Sequence, residues 1–109
     1  MHLGVSSLAV AEGDDAPISV LGLCAGSGKG LLREAMDQGC AAYITGELGH
    51  HDVLAAQAEG CAVILAGHTQ TERGYLPRLR DRLGAAIPGV EIHVSQVDAP
   101  PERLHGSVE

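Results

Sequence analysis

From residue 18 to residue 94 the chain alternates short apolar runs with longer amphipathic stretches. The runs are Ile18 to Cys24, Leu31 to Gln38, Ala41 to Thr45, His50 to Glu59, Cys61 to Ala66, Leu76 to Ile87 and Val90 to Val94. Read as strands and helices, that order is βαβαβαβ, which places the chain in the α/β class with a largely parallel sheet. Leu31, Leu32, Ala35 and Met36 form one helical stripe closed by Gly39, and Val53, Leu54 and Ala58 form a second closed by Gly60. Leu76, Leu79, Leu83 and Ile87 mark a third, with Pro77 in its first turn, where the missing N–H costs nothing. Val90, Ile92 and Val94 alternate with Glu91, His93 and Ser95, the pattern of a strand with one wet face on which His93 points to solvent. Upstream, Leu3 to Ala11 and Pro17 to Cys24 flank the turn signal Glu12-Gly13-Asp14-Asp15, so hairpin-like strands are expected to precede the alternating part. The expected organisation is a single α/β domain over 1–97 and a loosely held tail over 98–109, where periodicity is lost.

With 109 residues the chain has enough length to bury roughly two-thirds of its unfolded surface. Its aromatics, however, are only Tyr43 and Tyr75. A core built from aliphatic side chains alone is thin, which favours further burial against a second copy or a complementary part of a larger assembly. The net charge is −7 and the arginines Arg73, Arg78, Arg80 and Arg82 scatter around a helix, so nucleic acid is not an expected partner. No run approaches a membrane span and no basic-then-apolar leader opens the sequence, so a cytoplasmic protein is expected. Cys24, Cys40 and Cys61 form no C-x-x-C and lie in or beside apolar runs, which reads as buried, reduced thiols. His2 and His105, near the termini, carry no visible site.

Strands joined by right-handed crossovers bring their carboxyl ends to one edge of the sheet, where α/β folds gather ligands. Three loops should meet there. After Cys61 to Ala66 comes Gly67-His68-Thr69-Gln70-Thr71-Glu72-Arg73-Gly74. His68 and Glu72 are four residues apart and converge on one divalent ion if the segment turns helically. The same letters, Thr69-x-x-Glu72, also spell a capping box, and Pro77 argues for a tight turn rather than a regular helix over the pair. The loop Cys24-Ala25-Gly26-Ser27-Gly28-Lys29-Gly30 matches neither the Walker A nor the dinucleotide fingerprint. It remains either a substrate-binding turn in which Gly26, Ser27 and Gly28 cradle an anion, with Lys29 contributing, or a plain turn. In Thr45-Gly46-Glu47-Leu48-Gly49-His50-His51-Asp52, four ionisable groups crowd six positions. They serve as metal ligands, as groups that position or exchange protons around a metal, or as ordinary helix-start residues. Glu47 and His51 are the leading candidates for the catalytic, acid/base role.

Taken in order, the Leu23-to-Gly28, Tyr43-to-Asp52 and Gly67-to-Gly74 motifs resemble the C-terminal half of the Nif-three-like family. Members are dinuclear-metal, ring-forming proteins, and some carry the name of type-two GTP cyclohydrolase homologues. The resemblance runs from about His2 to Val97. It implies that the H-x-x-x-E of the last motif supplies metal ligands, here His68 and Glu72. It also implies that a His-His pair and a separate acid from the family's N-terminal half complete the site. His50-His51 is not that pair, because it sits inside the second-half motif. The implied function is half of a dinuclear metal-dependent hydrolase taking zinc, manganese, iron or magnesium and acting on a nucleotide-like or phosphorylated substrate. The alternative is a non-catalytic, metal-containing scaffold or regulatory module. The implied partners are other copies, as in hexameric rings, or a complementary N-terminal half.

Overall fold

A computed structural model describes residues 3–103, which fall into two compact units that part between Gly74 and Tyr75. His2, His105 and the end of the expected tail, 104–109, lie outside the described residues. In the first unit the elements are β1 (Ala9–Ala11), β2 (Leu21–Ser27), α1 (Lys29–Asp37), β3 (Ala42–Glu47), α2 (His50–Ala58), β4 (Ala62–Leu65) and α3 (His68–Arg73). The α/β reading stands. Four strands form one sheet in the order β1-β4-β3-β2, with β2, β3 and β4 parallel.

The expected hairpin does not form. β1 pairs antiparallel with β4, setting Ala9 opposite Leu65 and Ala11 opposite Val63. The turn that looked like a hairpin turn is instead tied to the end of α2. The Asp14 amide donates to the Gly60 carbonyl at 3.0 Å, and the Gln57 side-chain amide donates to the Glu12 carbonyl at 3.0 Å. Those bonds lead β1 to the β4 edge and leave β2 with β3 alone.

The register places Gly22, Tyr43, Val63 and Ala11 in one row across the sheet, and Cys24, Thr45, Leu65 and Ala9 in the next row on the same face. Successive strand residues alternate faces, so Leu23, Ile44, Ile64 and Val10 share the other. Only the first face is well covered: Tyr43, Val63, Ala56, Leu32 and Cys61 are buried together, with Ala35, Met36 and Val53 of the helices packed around them. On the other face Leu23 is 71% exposed and Val10 is 61% exposed.

In the second unit α4 (Leu76–Ala86) starts as read, with Pro77 in its first turn. The expected strand Val90 to Val94 is absent from the ladder among the described residues. Alternation alone does not make a strand, because the backbone groups of an extended segment need a paired neighbour. His93 does point to solvent, as expected, and meets Glu91 at 2.8 Å. No helix among the described residues is long and apolar enough to cross a membrane.

Candidate metal centre

The three loops do meet at the carboxyl ends of the parallel strands. The β3–β4 pairing continues one step past β4: the Ala66 amide donates to Thr45 O at 3.0 Å and the Gly67 amide to Gly46 O at 2.9 Å. Gly67 then takes φ +96°, a left-handed value that glycine adopts without strain, and the chain turns into α3. The tight turn expected over His68 to Glu72 is therefore a short helix, ended at Gly74 before Pro77 can interrupt it. The capping box is absent: Gly67 is the N-cap and no side chain caps it. Thr71, not Thr69, bonds the backbone, its hydroxyl lying 2.9 Å from Gly67 O and accepting the Gly26 amide at 2.9 Å. That hydroxyl fastens α3 to the β2 loop. Sequence reading passed over Thr71, since its partner is 45 residues away.

His68 stands between two carboxylates. Its Nε2 lies 3.1 Å from Glu72 Oε1, and its Nδ1 lies 2.8 Å from Glu47 Oε1. Its pKa is raised above the ordinary imidazole value, first by the hydrogen bond to Glu47, with partial burial opposing and the charges of Glu72 and Glu47 adding. Arg73 holds the other side of the Glu72 carboxylate, with Nη1 3.2 Å from Oε2.

Gly26 borders this pair. A Cβ there would sit 2.6 Å from Glu72 Oε1 and 3.2 Å from His68 Nε2, and its φ is +70°. Glycine thus keeps the space over the two donors clear. Two ligands of one tetrahedral ion at the usual 2.0–2.1 Å bond lengths stand about 3.3 Å apart. The observed 3.1 Å is close to that span, so an imidazole nitrogen and a carboxylate oxygen here suit a divalent cation such as zinc. They are two donors, not a full set. Among the described residues no group of three or more His, Cys, Asp or Glu side chains is arranged around one ion position, because Glu47 binds the far nitrogen of the ring.

The remaining sequence candidates divide. Glu47 and Ser27 pair at the ends of β3 and β2, past a register shift after Cys24, and, with Lys29, Leu48, Gly49 and Asp52, line a cavity of about 300 Å³. The backbone amides of Gly26 and Gly28 are directed to Thr71 and, at 3.3 Å, to Glu47 O, so those two do not form the expected anion cradle, while Ser27 and Lys29 line the cavity. Gly28 instead serves the core, its carbonyl accepting the Tyr43 hydroxyl at 2.9 Å. His51 is not brought to the centre. It is exposed on α2, meets the His50 ring at 5.6 Å between centroids, and its side chain makes no hydrogen bond or ion pair among the described residues.

The family model described as Duf34/NIF3 (NGG1p interacting factor 3) matches residues 1–101. NIF3-like protein 1 of Bos taurus is 43% identical over 107 residues, covering 92% of this chain and 27% of that protein. The GTP cyclohydrolase 1 type 2 homolog of Haemophilus influenzae is 34% identical over 83 residues, covering 76% of this chain and 33% of that protein. Among solved structures, the Bacillus cereus protein related to NIF3 superposes with a TM-score of 0.72 at 24% identity, over 94% of this chain and 29% of that one, a likeness of fold. The chain therefore spans about a quarter to a third of the length of the relatives it matches.

Proposed function

The chain belongs to the Duf34/NIF3 family, and from that premise we propose that His68 and Glu72 are its two donors to a dinuclear divalent-metal centre of a hydrolase acting on a nucleotide-like or phosphorylated substrate. The observation that carries this reading is the pairing of His68 Nε2 with Glu72 Oε1 at 3.1 Å beneath a glycine that leaves the space above them clear. When bound, a divalent ion supplies a polarising charge and acidifies water at neutral pH. The residues of this chain prepare for it. α3 sets the spacing of the two donors, Thr71 locks α3 to Gly26, and Arg73 holds Glu72 in place. Ser27 and Lys29, which line the cavity together with Asp52, are the groups that would meet a polar substrate. Two donors leave an ion largely open, so further ligands come from another segment or another subunit, which makes assembly part of the function.

The test is hydrolysis of phosphodiesters and of GTP, with added manganese or zinc, by this chain combined with the family's N-terminal portion. Metal-dependent turnover that His68→Ala abolishes is expected. A complex with a full complement of metal and no turnover on either substrate would overturn the hydrolase reading.

A further inference from the structure

Glu47 lies within the motif that sequence reading assigned to acid/base chemistry, but its contact is with the imidazole and not with the open side of the donor pair. We propose that Glu47 is a positioning residue that accepts a hydrogen bond from the Nδ1–H of His68 and thereby leaves Nε2 as a lone-pair donor facing Glu72. This rests on the reading of His68 and Glu72 as metal ligands. A neutral imidazole carries one proton, and two carboxylates compete for it. Glu47 is the better placed, at 2.8 Å against 3.1 Å, and its rival Glu72 already shares its charge with Arg73.

The backbone of Glu47 is also fixed. It pairs with Ser27 past the register shift in the parallel ladder, and its carbonyl accepts the Gly28 amide at 3.3 Å, so its carboxylate reaches the ring from a hydrogen-bonded strand end. With the proton on Nδ1, the Nε2 lone pair and the Glu72 oxygen are two acceptors that repel at 3.1 Å. A cation removes that repulsion. Without Glu47 the proton moves to Nε2, where it bonds Glu72 and closes the metal-binding nitrogen. A carboxylate behind a ligand imidazole fixes tautomer and ring orientation, and losing it typically costs 10–100-fold in metal affinity.

The test uses metal-free protein with ¹⁵N-labelled histidine, held above the imidazole titration range, for wild type, Glu47→Ala and Glu47→Gln. The His68 ring nitrogens should report Nδ1–H in wild type and Nε2–H in Glu47→Ala, with Glu47→Gln partly restoring Nδ1–H through its amide oxygen. Zinc titration of the same proteins should show affinity falling 10–100-fold in Glu47→Ala and less in Glu47→Gln. Glu47 is exposed, so unfolding is not expected to confuse the comparison. A wild-type ring already protonated on Nε2, or an unchanged tautomer in Glu47→Ala, would overturn the proposal. Absence of zinc binding by wild type with the expected tautomer change would overturn the metal reading alone.

Discussion

The helix-covered face of the sheet and the corner where α3 meets β2 and β3 are held together by different forces. On the face, Tyr43, Val63 and Ala56 lie within 1% of full burial, and apolar area removed from water supplies the stability. At the corner, backbone and hydroxyl hydrogen bonds position side chains that stay roughly 40% exposed, His68 and Glu72 among them. The face should therefore govern folding and the corner ligand binding, with little exchange between the two.

The largest effect should come from the face. Tyr43→Ala removes the sole buried aromatic side chain among the described residues together with its bond to Gly28, and should cost about 3–5 kcal/mol in denaturant unfolding. An effect below 1 kcal/mol would mean that the face is not the stabilising side. Gly26→Ala probes the boundary between the regions. The left-handed backbone costs about 1–2 kcal/mol for a residue with a Cβ, and the added methyl pushes on Glu72. Zinc affinity should fall at least tenfold, whereas Gly30→Ala, where a Cβ meets open space, should leave it unchanged. Equal behaviour of the two variants would break the assignment of Gly26 to the site.

The smallest effect is a pH dependence. Burial first, with the neighbouring Cys24 adding, pushes the Tyr43 phenol up to about 12. The folded state thus prefers the neutral phenol, and the stability this provides is complete below the ordinary tyrosine value near 10 and is lost as pH rises toward 12. Tyr43→Phe should lower stability at neutral pH yet flatten its alkaline decline, as read by thermal melting between pH 9 and about 12. An identical alkaline slope in both proteins would place the titrating group elsewhere.

Much of the fold was legible because burial leaves a period in the sequence. The stripe of Leu32, Ala35 and Met36 and the runs around Tyr43 and Val63 located α1, β3 and β4 to within a few residues. Pairing was not legible from those periods. Glu12 to Asp15 marks where the chain bends, but which strand receives β1 depends on bonds to Gly60 and Gln57. Val90 to Val94 shows the same gap, an alternating segment without a ladder. At the corner, the spacing of His68 and Glu72 is local and could be read directly. The approach of Glu47 to His68 spans 21 residues and exists only through strand register, so Glu47 looked equivalent to His51 in sequence. The structure separates them: one touches the ring, the other lies on an exposed helix face.

Ligand binding at the corner depends above all on His68 and Glu72 acting as a cation-binding pair. Zinc binding measured by competition with a chromophoric chelator, on wild type, His68→Ala and Glu72→Ala, tests this directly. Weak binding by the wild-type chain that falls at least tenfold in each variant, with melting temperatures nearly unchanged, is the expected result. Binding of equal strength in all three proteins would contradict it.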